Sequence, residues 1–229
     1  MSTPKIQQRL ATTQARVAEA AAEVGRPPES VRLVAVSKTV DAAAVREAYE
    51  AGQRRFGENR VQELARKVTE LPDDCEWHLI GHLQKNKARA AVLAADWIHS
   101  VDSQGLLERL DRIAGEAGRR PCILLQVNIT GEESKSGFTP EELPAAVAFV
   151  VTCDHLDCQG LMTMAAYDAD EGILRASFAR LRNLRDAMAE RFGLPLPELS
   201  MGMSGDFEAA IAEGATLVRI GTAIFGRRG

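Results

Sequence analysis

The stretch LVAVSK at residues 33–38 decides the fold, because it is an apolar run of strand length that ends in a lysine. In a strand, Val34 and Val36 face one side and Leu33 and Ala35 face the other, so both faces are apolar. Strands of this kind are typical of parallel sheets that are covered on both sides. Lys38 then stands at the carboxyl end of the strand, where the following loop leaves the sheet.

Seven further apolar runs follow this one, and helix-forming sequence comes after each run but the last. Strands that alternate with helices predict right-handed βαβ units and a parallel sheet. Eight units in 229 residues fit a single-domain α/β fold, a (β/α)8 TIM barrel at its lower size limit, and a doubly wound open sheet is the alternative. No linker, charge block or repeat interrupts the series, so we expect one domain over residues 1–229. The predicted strands are residues 33–36, 55–56, 77–80, 97–101, 122–129, 157–162, 198–201 and 216–220.

Local signals predict where several helices begin. Apolar residues at helical spacing predict an extra N-terminal helix over residues 6–24, ahead of the first strand. Asp41 is predicted to cap the second helix. Thr139 and Glu142 are predicted to form a capping box that starts the helix after the fifth strand.

Composition weighs against several classes of protein. The chain has 28 Lys and Arg against 32 Asp and Glu, a net charge of −4, so we expect no nucleic-acid partner. No apolar stretch approaches the roughly 18 residues of a membrane span, and the N-terminus has no signal-peptide core. The four cysteines form no C-x-x-C pair. We therefore expect a cytoplasmic protein that does not associate with membranes.

Histidine spacing gives no metal site. His78 and His82 are four residues apart, but they lie on a predicted strand and the turn after it, where the helical spacing of metal ligands does not apply. A packing or hydrogen-bonding role is favoured for both.

Lys38 is the first candidate for chemistry. In a barrel, the carboxyl ends of the strands and the loops after them form the reactive face. Partial burial there lowers the pKa of a lysine and frees its amine as a nucleophile. The alternative is an ordinary solvated lysine at the end of a strand.

A phosphate cradle is predicted at the far end of the chain. The stretches SMGMSGD at 200–206 and VRIGTAIFG at 218–226 each break from an apolar run into glycine and hydroxyl residues. Ser204 is predicted to cap a helix beginning near Gly205, while Gly221 and Thr222 offer close backbone approach and a hydroxyl group. Ordinary turns are the alternative. A reactive amine and a phosphate site together suggest pyridoxal 5'-phosphate (PLP).

Arg219 lies on the last predicted strand. Its side chain points either into the barrel mouth or to the outer face, where it would form an ion pair. At the mouth, it would donate a hydrogen bond to the ring nitrogen of the cofactor. Because an arginine does not readily give up its proton, that nitrogen would stay unprotonated and the ring would be a weaker electron sink. This arrangement favours limited chemistry over amino-acid turnover.

Five motifs follow one another along the chain: AVSKT at 35–39, FGENRVQE at 56–63, WHLIGHLQKNK at 77–87, MGMS at 201–204 and VRIGTAIFG at 218–226. Together they resemble the YggS/PROSC family of pyridoxal phosphate-binding proteins, whose barrel is similar to the N-terminal domain of alanine racemase, PLP fold type III. The resemblance extends over nearly the whole chain. It implies PLP held as a Schiff base on Lys38, with Asn59 lining the pocket and Arg219 near the pyridine nitrogen. It also implies phosphate binding around Ser204, Gly221 and Thr222.

The function implied by the resemblance is intracellular PLP homeostasis, with PLP delivery to apo-enzymes and little or no catalysis by the protein itself. No catalytic residue is assigned. Lys135, in the loop after the fifth strand, is a second amine that we expect to accept the cofactor during transfer. A monomer is expected, because no second domain is present to complete a site across subunits.

Two other functions stay open on sequence grounds. A PLP-dependent amino-acid racemase needs a second base opposite the lysine, usually a tyrosine, and this chain offers only Tyr49 and Tyr167. Of these, only Tyr167 is placed to reach the mouth. A regulatory scaffold that reports cofactor status to a partner protein is the third class.

Overall fold

Eight parallel strands close into one barrel in the computed structural model, which describes residues 5–132, 136–165 and 169–226. The strands are arranged in chain order around the barrel, and β1 pairs with both β2 and β8. This closure confirms the predicted barrel and excludes the open doubly wound sheet. The strands are β1 Arg32–Val36, β2 Arg55–Glu58, β3 Glu76–Leu79, β4 Trp97–Val101, β5 Cys122–Gln126, β6 Asp157–Met162, β7 Glu198–Ser200 and β8 Leu217–Ile220.

The predicted strands are all present, and the largest difference is at the end of β5. Its apolar sequence predicts a strand to residue 129, but the regular strand ends at Gln126. Beyond it, Val127 forms an isolated bridge with Phe138, and the Asn128 N–H donates to the Phe138 carbonyl over 2.9 Å. The apolar run therefore continues past the sheet because it packs against the returning loop.

Helices surround the barrel, and a short one also follows the last strand, where none was predicted. The extra N-terminal helix α1 is confirmed and packs on α2, α8 and α9. None of the described helices combines the length and apolar character needed to span a bilayer. The helices are α1 Ile6–Glu23, α2 Ala42–Glu50, α3 Val61–Glu70, α4 Ala88–Ala94, α5 Gln104–Ala117, α6 Leu143–Val150, α7 Glu171–Phe192, α8 Phe207–Ala212 and α9 Thr222–Phe225.

Two of the predicted caps form. The Asp41 carboxylate accepts a hydrogen bond from the Ala44 N–H over 2.7 Å at the start of α2. Thr139 and Glu142 exchange side-chain to backbone bonds of 2.9 and 3.2 Å, as a capping box requires. The regular helix nevertheless begins at Leu143, three residues later than the box predicts, and Glu142 rather than Thr139 occupies its N-cap position.

The core has an inner and an outer layer, which follow from the alternation along each strand. Val34, Leu124 and Met162 pack together inside the barrel. Leu33 and Ala35 belong to the larger cluster between the barrel and the helices. The carboxyl ends of the strands are thus held rigidly from both sides, and the candidate site is built on them.

Candidate functional site

A cavity of about 490 Å³ lies at the carboxyl ends of the barrel strands. Its wall includes every residue that the sequence singles out for cofactor binding. It also includes Gln126, Met164 and Met203, which the sequence analysis missed although each lies at or just after the end of a strand. The predicted residues in the wall are Lys38, Asn59, Ser204, Arg219, Gly221 and Thr222.

Lys38 lies on a tight turn whose backbone is held on both sides. The Ser37 carbonyl accepts a hydrogen bond from the Val40 N–H over 3.0 Å, which closes the turn. Thr39 has a φ of 60°, a left-handed conformation that is uncommon for a residue with a side chain. Its N–H donates to Glu63 Oε1 over 2.7 Å. The turn is therefore fixed by contacts from outside it.

A buried ion pair lies directly beneath this turn. Lys67 Nζ is 2.6 Å from Glu58 Oε1, and both side chains are fully buried. Lys67 also donates to the Ser37 carbonyl over 2.7 Å, and the Ser37 hydroxyl donates to Glu58 Oε1 over 2.6 Å. Burial raises the pKa of Glu58, while the hydrogen bonds from Lys67 and Ser37 oppose that rise. We call Ser37, Glu58, Glu63 and Lys67 the turn cluster.

Asn59 is positioned by the close approach of a glycine. A Cβ on Gly81 would lie 2.3 Å from the Asn59 carbonyl oxygen and 2.7 Å from its Cα, so a side chain there has no room. The Ser100 hydroxyl donates to the Gly81 carbonyl over 2.6 Å and holds this segment in place. The loops after β2 and β3 therefore meet at Asn59.

The two loops that were predicted to bind phosphate both line the cavity, but Ser204 does not cap a helix. Helix α8 begins at Phe207, and Asp206 occupies its N-cap position. The Met203 N–H donates a hydrogen bond to the Asp206 carboxylate over 2.5 Å, which closes the turn that contains Ser204. The prediction was wrong because this turn comes between the glycine-rich break and the helix.

The second of these two loops follows β8. Gly221 is buried and occupies the N-cap position of the four-residue helix α9, and Thr222 is its first residue. Gly202, in the first loop, has a φ of 90°, and its carbonyl accepts a bond of 3.0 Å from the Arg219 N–H. This bond links the loop after β7 to β8.

Arg219 points inward, which excludes the outer-face ion pair. The side chain is buried and lines the cavity. Its Nη1 donates to Ser200 Oγ over 2.6 Å and its Nη2 to the Thr163 carbonyl over 2.9 Å. Within the described part of the chain, no carboxylate lies within ion-pair distance of it. Burial lowers the pKa of Arg219 to about 10, against a smaller opposing effect of Asp206.

This environment suits a ligand with hydrogen-bond acceptors. A guanidinium has five N–H groups, and the two bonds described use two of them. A buried cation without a carboxylate partner costs free energy unless other groups satisfy it. The cavity therefore offers a small anionic molecule the remaining N–H groups of Arg219, the amine of Lys38 and the glycine-containing loops after β7 and β8.

Several other predicted residues lie away from the cavity or outside the described residues. The Tyr49 hydroxyl donates to Asp74 Oδ1 over 2.6 Å and is not in the cavity wall. Lys135 and Tyr167 lie outside the described residues. His82, by contrast, does line the cavity, and its Nδ1 is 2.9 Å from Asp102 Oδ2. Among the residues that the structure describes, no group of His, Cys, Asp and Glu is arranged to hold a metal ion.

The chain matches known proteins over nearly its full length. The family model for the N-terminal domain of alanine racemase matches residues 9–229. The pyridoxal phosphate homeostasis protein of Pseudomonas aeruginosa is 49% identical, over 97% of this chain and 96% of that protein.

Solved structures give two further similarities. PipY of Synechococcus elongatus, solved with PLP bound, is 47% identical with a TM-score of 0.86, covering 96% of this chain and 100% of that chain. Alanine racemase of Corynebacterium glutamicum is 17% identical with a TM-score of 0.74, covering 95% of this chain and 60% of that chain. At that identity the second similarity concerns the fold alone.

Proposed function

Because the chain belongs to the alanine racemase N-terminal domain family, and because an amine and a buried guanidinium line one cavity, we propose that it binds PLP and acts in intracellular PLP homeostasis. Relatives named for PLP homeostasis and the PLP-bound structure of PipY support the proposal. The single observation that carries it is Arg219, a buried cation without a carboxylate partner among the described residues, which faces the same cavity as Lys38.

The residues present fit the cofactor. Lys38 would hold PLP through a C=N bond between its amine and the aldehyde of the cofactor, with one water molecule released. Backbone groups of Ser204 and Gly221, with the Thr222 hydroxyl, bind the phosphate, and Asn59 lines the pocket. A cavity of about 490 Å³ lies within the usual size range of small-molecule sites.

Arg219 limits what the bound cofactor does. PLP supplies an electron sink for carbanions when it is bound. A pKa of about 10 leaves the guanidinium protonated at neutral pH, so it donates to the pyridine nitrogen rather than accepting from it. The nitrogen then carries no proton, and the sink is weak. We therefore propose a carrier with little or no catalysis of its own.

A racemase is not favoured. The similarity to alanine racemase is at the level of the fold, whereas relatives 40–49% identical are named for PLP homeostasis. Tyr49 bonds to Asp74 and is not in the cavity wall, so it supplies no second base. We expect no exchange of amino-acid α-protons with solvent above the rate given by free PLP. Fast exchange that disappears in Lys38→Ala would establish a racemase-like enzyme.

The carrier role extends to delivery. We propose that the protein is a cytoplasmic monomer that releases PLP to apo-enzymes, and that Lys135 accepts the cofactor on the way out. All four cysteines are free thiols, as is usual in a reducing compartment, and this supports the proposed location. Release of PLP at an unchanged rate from Lys135→Ala would contradict the role of Lys135.

A titration with PLP tests the binding proposal. We expect a new visible absorption band that saturates at one PLP per chain, because a Schiff base absorbs at longer wavelength than the free aldehyde. The band should be absent in Lys38→Ala and unchanged in Lys5→Ala, a control that removes an exposed lysine outside the cavity wall. An equal band in Lys38→Ala would show that another amine binds the aldehyde.

A further inference from the structure

A row of buried polar side chains runs through the barrel from the cavity to its opposite end. Arg219 Nη1 donates to Ser200 Oγ over 2.6 Å. Ser200 Oγ is 2.8 Å from His99 Nδ1, and His99 Nε2 is 2.8 Å from His78 Nδ1. His78 Nε2 is 2.8 Å from Glu76 Oε1. We call these five residues the axial chain.

The inner members of the axial chain have no access to water. Ser200, His99 and His78 are fully buried, while the Glu76 side chain is 33% exposed at the amino end of β3. Trp97 stacks on His78, with ring centroids 5.6 Å apart and an angle of 14° between the planes. The imidazoles are therefore held in position by packing as well as by hydrogen bonds.

The two end residues of the axial chain, Arg219 and Glu76, determine the direction of every hydrogen bond along it. A guanidinium has only donors and an ionised carboxylate only acceptors. Ionised Glu76 thus accepts from His78 Nε2–H, which leaves His78 Nδ1 to accept from His99 Nε2–H. His99 Nδ1 then accepts from the Ser200 hydroxyl, whose oxygen accepts from Arg219. Both imidazoles are neutral and carry their proton on Nε2.

The charges around the chain agree with this assignment. Burial, together with the charges of Arg55 and Arg32, lowers the pKa of His78, against the opposing effect of Glu76. For Glu76, burial alone would raise the pKa, but the His78 hydrogen bond and the nearby cations outweigh burial and lower it. Glu76 is thus ionised and His78 neutral at neutral pH.

We propose that Ser200, His99, His78 and Glu76 are positioning residues that hold the Arg219 guanidinium at the angle required by a ligand in the cavity. This inference rests on the proposed function, with the pyridine nitrogen of PLP as the ligand atom. A serine hydroxyl alone can rotate between donor and acceptor roles. His99 accepts the hydroxyl proton of Ser200, so the Ser200 oxygen acts as an acceptor toward Arg219. Glu76 sets the tautomer of His78, and His78 in turn sets the tautomer of His99. The far end of the barrel thus controls a donor in the cavity.

Nitrogen NMR of the protein without added PLP tests the axial chain itself. The protein has four histidines. Variants of the two exposed ones, His82 and His155, therefore identify by elimination the signals of the buried pair, His78 and His99. We expect both His78 and His99 as the neutral Nε2–H tautomer at neutral pH. We expect Ser200→Ala to perturb the His99 signals and Ser200→Thr, which keeps the hydroxyl, to restore them. A proton on Nδ1 of either buried imidazole in the wild type would overturn the proposal.

PLP affinity tests transmission along the chain. Glu76→Gln replaces an obligatory acceptor by an amide that can also donate, and Glu76 is not in the cavity wall. We expect PLP to bind about threefold to tenfold more weakly, the worth of one misaligned hydrogen bond. Glu198→Gln is the matched control, because Glu198 pairs with Arg32 at the same end of the barrel but is not a member of the axial chain.

The outcomes separate the two proposals. Weaker binding in Glu76→Gln but not in Glu198→Gln supports the axial chain, and equal effects in both variants overturn it. If the wild type shows the expected tautomers yet binds no PLP, the proposed function fails while the hydrogen-bond chain stands. Its role toward PLP would then be withdrawn.

Discussion

The turn cluster beneath Lys38 and the axial chain behind Arg219 support opposite sides of one cavity by different means. In the turn cluster, two full charges meet directly, with Lys67 Nζ 2.6 Å from Glu58 Oε1 and both side chains fully buried. In the axial chain, the charges stand at the two ends and neutral imidazoles lie between them. A buried charge that loses its partner costs more than a neutral group that does. The two supports should therefore differ in how much stability a single substitution removes.

Lys67→Met gives the largest expected effect, because it leaves Glu58 as an unpaired buried carboxylate. The free energy of unfolding should fall by about 3–5 kcal/mol, as measured by urea denaturation. Lys87→Met is the control, since Lys87 is outside the cluster and partly exposed. The double variant Glu58→Leu/Lys67→Met should recover most of the loss, because it removes both charges. A single-variant loss below about 1 kcal/mol would place this pair with weak surface ion pairs and break the comparison.

His99→Leu interrupts the axial chain without stranding a full charge. His78 Nδ1 loses its donor and Ser200 its acceptor, so we expect a loss of about 1–3 kcal/mol, smaller than that of Lys67→Met under the same conditions. Ser30→Ala is a suitable control, because the Ser30 hydroxyl is buried without a hydrogen-bond partner in the described residues. A loss as large as that of Lys67→Met would show that the axial chain carries charge in its middle.

The barrel and the cavity wall were predictable from sequence because both depend on local patterns. A parallel barrel places the carboxyl ends of all its strands together, so the pattern alone found Lys38. Asn59 came from the family resemblance, and the pattern left open whether Arg219 faces the mouth or the outer surface. The position of a helix start was predicted wrongly where an extra turn precedes the helix: Ser204 was expected to cap α8, which begins only at Phe207.

The two supporting networks were not predicted, because they depend on the register of strands that are far apart in the sequence. His99 and Ser200 are 101 residues apart and meet only when β4 and β7 face each other across the closed barrel. The Lys67 to Glu58 contact depends on the rotation of α3 about its axis. Period-two alternation in β4 was nevertheless a usable signal, since it places His99 on the same face as Trp97.

Gly81→Ala separates the cavity wall from both networks. The new Cβ would lie 2.3 Å from the Asn59 carbonyl oxygen, so the backbone must shift, at a cost of about 1–3 kcal/mol, and Asn59 moves with it. PLP affinity should fall, while the tautomers of His78 and His99 stay unchanged by NMR. In the control Gly105→Ala, the Cβ meets only the flexible end of Lys85. Unchanged affinity in Gly81→Ala would remove Asn59 from the site.

The smallest expected effect is a difference in pH dependence. Burial lowers the pKa of His78 and, further, of His99, where His78 once it is protonated, Arg219 and Arg32 add to the effect of burial. Below pH about 6.5, the unfolded histidines bind protons and the folded ones do not, so stability is lost as the pH falls from that value toward their folded pKa. Glu58 acts in the opposite direction, because its raised pKa lets the folded state bind a proton first.

Urea denaturation at a series of pH values measures this difference. His99→Leu should lose less stability than the wild type between neutral pH and the acid end of that window, because one buried imidazole is gone. Ser30→Ala should keep the slope of the wild type. Parallel profiles for His99→Leu and the wild type would mean that His99 is not held neutral in the fold.

Peptide mapping after borohydride reduction tests the central claim most directly. The protein is mixed with PLP, reduced so that any C=N bond becomes a stable amine linkage, digested and analysed by mass spectrometry. The account predicts the reduced cofactor on the peptide that contains Lys38, and none on that peptide when PLP is left out. Cofactor attached elsewhere while Lys38 is unmodified, or spread over exposed lysines in proportion to their accessibility, would contradict it.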